Sequence, residues 1–207
     1  MNNSLLMALA LGDGHVAANK NNTKASIVIR HSNHQLDYIN WKYNLAKDLW
    51  NKAPTAYKNI LNGKRYYGHY LRSTLDFKIM DIKNILYPNG KKTYTREALD
   101  MLDELGLAIW YMDDGCVDRP IKRNSMGILN TYGHSPNGEE EKVVQQYFLE
   151  KWNIRTSINS GHGRYRIRFS HPEFCKLVKL IEPYVIDSLK YKIDTTMRHN
   201  AQTMPII

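Results

Sequence analysis

The sequence predicts a mixed α+β fold built from two copies of one helix-and-strand unit, and three observations carry that prediction. An apolar run, Leu5-Leu6-Met7-Ala8-Leu9-Ala10-Leu11, closes on Gly12-Asp13-Gly14. It returns in altered form as Leu105-Gly106-Leu107-Ala108-Ile109-Trp110-Tyr111-Met112, closing on Asp113-Asp114-Gly115. The closing aspartates Asp13 and Asp114 stand 101 residues apart (114 − 13), about half of the 207-residue chain, and a similar succession of elements follows each.

Both runs are apolar on every side and are therefore expected as buried helices. A buried helix that ends in a carboxylate and a glycine is an uncommon construction. After Asp13, the β-rich stretch Lys24–Arg30 predicts a strand. From about His34 to Trp50, the spacing of Leu36, Ile39, Tyr43, Ala46 and Trp50 predicts a helix. After Asp114 the matching pieces are a strand at Ser125–Thr131 and a helix from about Asn137 to Trp152, its stripe being Val143, Val144, Tyr147, Phe148 and Leu149. Each half then shows a Tyr/Arg-rich strand, around Arg65–Arg72 and Gly163–Ser170, and a closing helix, around Asp76–Leu86 and Pro172–Ile181. The turn-rich stretch Tyr87–Tyr94 links the halves. Glu139-Glu140-Glu141 reads as an ordinary acidic first turn favoured by the helix dipole.

A composition of 43% hydrophobic and 24% charged residues suits a globular chain with one large or two small cores, and excludes a disordered tail or a fibrous protein. The 29 Lys+Arg against 20 Asp+Glu leave a net charge of +9, which points to a polyanionic partner such as nucleic acid. With two cysteines, Cys116 and Cys175, and no Cys/His cluster at zinc spacing, neither a disulfide scaffold nor a structural zinc site is expected. The N-terminal apolar run is too short to cross a bilayer, and no Lys or Arg precedes it as in a signal peptide. The expectation is an intracellular protein without a membrane partner, in the cytoplasm of a bacterium or phage-infected cell or in a mitochondrion or chloroplast.

Ala8 and Gly12, four apart on one helix face, would let a second backbone approach closely. With the two helices side by side, Asp13 and Asp114 would emerge together. Neighbouring carboxylates repel, and a cation relieves the repulsion; oxygen-only ligation favours Mg²⁺. Taken singly, an Asp-Gly after an apolar helix is usually only a helix terminus; its repetition is what singles it out.

The segments Leu6-Met-Ala-Leu-Ala-Leu-Gly-Asp-Gly14 and Leu107-Ala-Ile-Trp-Tyr-Met-Asp-Asp-Gly115 resemble the paired nine-residue motifs of single-chain LAGLIDADG homing endonucleases. The second is the more specific, through its Trp-Tyr-Met-Asp-Asp-Gly ending. At the sixth position Leu11 and Met112 replace the Asp of the family name. The resemblance covers nearly the whole chain and extends to Pro183–Ile193. It implies two pseudo-twofold-related αββαββα-type repeats, with the motif helices packed at the centre and two antiparallel sheets forming a DNA-binding saddle. The first repeat would occupy residues 1–88, a linker 89–103, the second repeat 104–193 and a C-terminal tail 194–207.

It further implies a monomeric enzyme that makes a double-strand break in a long asymmetric DNA site, across the minor groove, leaving short 3′ overhangs. The reaction would use two or more Mg²⁺ ions, for which Mn²⁺ would substitute. The metal-binding acids would be Asp13 and Asp114, with the backbone carbonyls of Gly12 and Asp113 as further ligands. Lys92 and Lys192 would be the catalytic lysines. Their offsets from the acids agree, 79 (92 − 13) and 78 (192 − 114), although Lys91 and Lys190 lie close enough to exchange roles. The gene is expected within an intron or free-standing. Two alternatives share the fold: a maturase acting on host intron RNA, and a catalytically silent DNA-binding protein.

Gly163-Arg-Tyr-Arg-Ile-Arg-Phe-Ser170 alternates strictly, so that Arg164, Arg166 and Arg168 face one way, about 7 Å apart, and Tyr165, Ile167 and Phe169 the other. Such arginines read guanine edges or neutralise phosphates; a charge-protected edge strand has the same pattern. The first half offers Arg65, with Tyr66, Tyr70 and Arg72 on one face, and also Lys24, Ser26 and Arg30. The second half adds Arg123, Arg155, Ser157 and Asn159.

Overall fold

The structure is a computed structural model that describes residues 2–118, 124–131, 137–161 and 164–196. Helix α1 (Asn3–Leu11) begins where the Asn2 side chain accepts from the Ser4 amide at 2.9 Å, and every residue from Ser4 to Leu11 is buried. Strands β1 (His15–Ala18) and β2 (Ala25–Ser32), helix α2 (Leu36–Leu45), strands β3 (Thr55–Leu61) and β4 (Lys64–Arg72), and helix α3 (Phe77–Leu86) complete the first unit. A one-turn helix α4 (Arg96–Asp100), within the stretch predicted as plain linker, leads to α5 (Glu104–Asp114). The series then repeats as β5 (Gly115–Asp118), β6 (Met126–Leu129), α6 (Glu139–Trp152), β7 (Ser157–Gly161), β8 (Arg164–Phe169) and α7 (His171–Ile181). Each half is thus αββαββα. Their antiparallel sheets have the same wiring, β1-β2-β4-β3 and β5-β6-β8-β7.

Helices α1 and α5 lie parallel at the centre, joined at both ends. At their starts the Ser4 hydroxyl donates to Asp103 Oδ1 at 2.6 Å, while Asp103 caps α5 by accepting from the Gly106 amide at 2.8 Å. At their far ends the Asp13 amide donates to Asp113 Oδ2 at 3.0 Å. Neither helix has a polar face because each is enclosed by its partner, its own sheet and the flanking helices.

Strand alternation places one row of each sheet on these helices. In β2 the inward row is Ala25, Ile27, Ile29 and His31; in β8 it is Ile167 and Phe169. The β3–β4 hairpin closes through Asn62 (φ 51°) and Gly63 (φ 75°) between the paired Leu61 and Lys64, the left-handed pair that a two-residue hairpin turn requires. Register aligns the halves. The residue opposite Gly115 is Leu129, and that opposite Gly14, one step before the His15–Val28 pair, is Ile29. His31 therefore corresponds to Thr131. By the same ladder Tyr70 corresponds to Arg166 and Arg72 to Arg168.

Three expectations are corrected. The helix predicted from His34 to Trp50 is broken at Ala46, where φ is −146°, because Trp50 must be extended to bridge Ser73. Its inward face is Tyr38, Ile39 and Lys42 rather than the apolar stripe that includes Leu36, which is exposed. In the acidic turn of α6, Glu141 is fully buried and accepts from the Thr131 hydroxyl at 2.8 Å, so that turn is not merely solvated charge. The α6 stripe holds at Val144, Tyr147 and Phe148, whereas Leu149 is exposed.

Candidate active centre

Asp13 and Asp114 emerge at the joined ends of α1 and α5, immediately before β1 and β5. Burial and the charge of Asp113 push the Asp13 carboxyl up to about 6. Burial, with the charges of Asp113 and Asp13, pushes Asp114 up to about 7. Both carboxyls thus feel Asp113, and Asp114 also feels Asp13, which disfavours the ionised state in which a carboxylate binds cations.

The lysines arrive from the end of each half. Lys92 Nζ donates to the Gly12 carbonyl at 2.6 Å and to the Gly14 carbonyl at 3.1 Å. Lys192 Nζ donates to the Met112 carbonyl at 2.5 Å and to the Asp113 carbonyl at 3.2 Å. Each ammonium thus caps the carbonyl-rich C-terminal end of a motif helix, where positive charge is favoured. Burial lowers both, Lys92 to about 8. Lys190 instead pairs with Asp187 on the surface at 2.7 Å.

Gly12 and Asp113 are joined by more than their carbonyls. A Cβ on Gly12 would stand 2.1 Å from Asp113 Oδ2, so the glycine admits a carboxylate rather than a second backbone. The Asp113 side chain is wholly enclosed and forms an ion pair at 2.6 Å with Lys42, which is equally enclosed. Asp113 also accepts from the Tyr38 hydroxyl at 2.7 Å. Burial alone would raise the Asp113 carboxyl, but the charge and hydrogen bond of Lys42 hold it below the usual carboxylate range. Lys42 Nζ lies 3.2 Å from His31 Nε2, and His31 Nδ1 lies 3.2 Å from Gln35 Oε1 and 3.7 Å from Asp13 Oδ2. Burial, then the charge of Lys42, lowers His31 to about 4, so its ring is neutral near pH 7. Asp13, His31 and Asp113 bring ligand atoms within 4.8 Å of one another. Lys42 already pairs with Asp113 and lies against the neutral His31, so Asp13 and Asp114 are the carboxylates here that could hold a metal.

Sequence reasoning missed Lys42, His31 and Tyr38. One signal was available for Lys42. Its neighbours three and four residues away along the helix, Tyr38, Ile39, Leu45 and Ala46, are all apolar or aromatic, so no local acid could serve it.

The outer sheet faces carry most of the predicted contact residues. In the first half Arg30, Tyr70 and Arg72 line one concavity with Val28, Tyr57 and Asn59. Tyr66 shares their face and is exposed. Lys24 lies 4.6 Å above the Phe77 ring. In the second half Arg164, Arg166 and Arg168 share one face, with Asn159 opposite Arg166 and Ser157 opposite Arg168. Arg168 also lies 3.9 Å from Asp118. Arg155 is exposed just before β7, its amide donating to Glu173 at 2.9 Å. Two assignments change. Ser26 is only 5% exposed and is shut off from a partner. Arg65 has the parity of inward-facing Leu71 and so projects from the opposite side of β4, near the hairpin tip. Arg123 lies outside the described residues, as does most of the predicted tail, 197–207. Among the described residues, no helix is long and apolar enough to cross a membrane.

Residues 4–177 match the LAGLIDADG DNA endonuclease family. The chain is 25% identical over 203 residues to cytochrome b mRNA maturase bI2 of Saccharomyces cerevisiae, covering 92% of this chain and 46% of that protein. It is 30% identical over 95 residues to probable intron-encoded DNA endonuclease 3 of Mycosarcoma maydis, covering 46% of this chain and 66% of that one. The chain spans about half the length of the first curated relatives it matches. In fold it is similar to the homing endonuclease I-WcaI bound to its DNA recognition sequence, with a TM-score of 0.84 at 22% identity, covering 95% of this chain and 87% of that chain.

Proposed function

We propose that this chain, which belongs to the LAGLIDADG DNA endonuclease family, is a monomeric homing endonuclease that makes a metal-dependent double-strand break at a long asymmetric DNA site. One arrangement carries the reading. Asp13 and Asp114 stand at the joined ends of two buried parallel helices, each end capped by a lysine. One chain supplies both acids and both lysines.

The donor set suits a hard divalent cation. Its groups are carboxylate and carbonyl oxygens at two negative helix ends, and the carboxyls that burial and the Asp113 charge hold partly protonated gain most from a cation. Asp13 and Asp114 would hold Mg²⁺, with the carbonyls of Gly12 and Asp113 within reach. When bound, such an ion supplies charge neutralisation and Lewis acidity at the scissile phosphate. Lys92 and Lys192 place positive charge beside the acids, where it favours the additional negative charge of phosphodiester attack. The rows containing Arg30, Tyr70, Arg72, Arg164 and Arg166 would hold the duplex, by phosphate contact and by base edge.

The test uses DNA carrying the uninterrupted locus of the gene, with Mg²⁺ or EDTA, beside Asp13→Asn and Asp114→Asn. Cutting at one site with metal, reduced by about 10²–10³-fold or more in the variants while DNA binding holds, is the expected result. Cutting that survives in Asp114→Asn would overturn the mechanism. The similarity to a cytochrome b mRNA maturase favours a second reading, assistance to folding of a host intron RNA. Splicing stimulated equally by wild type and Asp114→Asn, without DNA cutting by either, would select it.

A further inference from the structure

The two candidate acids are held differently. Asp114 is the last residue of α5, and its carbonyl takes two hydrogen bonds from Asn130, at 3.1 and 3.0 Å. Asp13 lies beyond the end of α1, after a Gly12 whose ψ of −124° has left the helix. A closed ring of side chains stands where helical hydrogen bonds are lacking. Asp113 accepts the Asp13 amide at 3.0 Å on one oxygen and Lys42 at 2.6 Å on the other; Lys42 reaches His31 at 3.2 Å, and His31 faces the Asp13 carboxylate at 3.7 Å. The Tyr38 ring lies 4.3 Å from the ammonium, and its hydroxyl donates to Asp113 at 2.7 Å.

Among the described residues nothing equivalent surrounds Asp114. The counterpart of Asp113 is Gly12, without a side chain, and the counterpart of His31 is Thr131, whose hydroxyl turns away to Glu141. Among the described residues no hydrogen bond reaches the Asp114 carboxylate. A buried ion pair is costly to desolvate and often adds no stability over an apolar pair of the same volume. Retained here, it fixes the one acid that its helix does not fix.

We propose that Asp113, Lys42 and His31 are positioning residues that preset Asp13 through contacts that Asp114 lacks, so that the cuts on the two DNA strands depend on them unequally. The proposal rests on the endonuclease reading above.

The test replaces the pair by apolar groups of similar size, Lys42→Met with Asp113→Leu, so that the fold is kept while the ring is removed. In the metal-free protein, amide exchange at Gly12–Gly14 is expected to rise about tenfold while that at Asp114–Gly115 stays unchanged. With end-labelled target, nicking of one strand should slow by about 10–100-fold relative to the other, with DNA affinity unchanged. Exchange that stays flat or rises equally at both places, or two nicking rates that keep their ratio, would overturn the proposal. If the double variant does not fold, Asp113→Asn, which keeps an acceptor but loses the charge, is read by the same two measurements. A wild type that cuts neither strand would remove the endonuclease reading, and the exchange measurement would still decide whether the ring holds Asp13 selectively.

Discussion

Between sheet and helix, the first half of the molecule buries a lysine and the second half a glutamate. Lys42 of α2 stands beside His31 and finds its acid in Asp113, from the other half; Glu141 of α6 accepts from Thr131, from its own. The backbones are wired identically, yet the polar interiors carry opposite charge. A single motif position supplies the acid for Lys42, since Asp113 fills with a carboxylate the space that its counterpart Gly12 leaves open. The two halves thus share the path of the chain, which apolar packing specifies with wide tolerance. Their buried polar partners differ, because each needs only one complementary group within reach.

The largest stability difference between the halves should appear when each buried partner is removed. Lys42→Ala strands the Asp113 charge and should cost about 3–5 kcal/mol in urea unfolding. Thr131→Val, which removes one hydroxyl beside Glu141, should cost about 1–3 kcal/mol. Equal losses would mean that the two sites are energetically alike.

Gly12→Ala sharpens the same contrast through packing. The added methyl meets the Asp113 carboxylate, so the variant should lose about 1–3 kcal/mol by overpacking. In an Asp113→Gly background most of that increment should vanish, which a double-mutant cycle measures directly.

At the surface, Arg166 and its counterpart Tyr70 offer a weaker asymmetry. Arg166→Ala should cost about 1–3 kcal/mol in DNA affinity and, where it reads a base, relax preference at one position. Tyr70→Ala should leave the slope of affinity against salt unchanged, because no charge is lost. A flat slope in the wild type would remove the basis for a phosphate-binding saddle.

The smallest effect is a pH dependence. Asp13 and Asp114 titrate near 6 and 7 when folded, above their unfolded value near 3.8. Their contribution to stability is therefore full at low pH and is lost as pH rises through 6 and 7. In the metal-free protein Asp114→Asn removes the Asp114 share of this loss, so the variant should gain melting temperature over wild type at pH 8 relative to pH 6.5. His31, held near 4, works in the opposite sense, and its contribution is lost as pH falls below its unfolded value near 6.5. Lys92, lowered to about 8, works in the same sense as His31, so the check is the difference between variant and wild type: one that does not grow from pH 6.5 to 8 would contradict the raised acid.

Much of this was legible in the sequence, because it rests on local pattern. The two all-apolar runs specified buried helices, their shared Asp-Gly endings located Asp13 and Asp114, and strict alternation in Arg164–Phe169 separated an inward row from an outward one. Strands β1, β3, β5 and β7 were not located from the residues: β1, β5 and β7 have only four or five residues, too few for periodicity to register, and β3 is exposed along most of its length and so lacks a buried row. The break at Ala46 was missed because the bridge from Trp50 to Ser73 that imposes it joins residues distant in the chain.

By itself, then, the sequence determined the repeat, its fold class and the pair of motif acids, since these follow from residue types repeated at fixed spacing. Only the tertiary structure decided that Lys42 is buried, that Asp113 crosses from one half to the other, and that Ser26 is closed off while Arg30 is open. A buried charge is identified by its partner, and the partner of Lys42 is 71 residues away. No local pattern encodes that distance; the packing of α1 against α5 creates it.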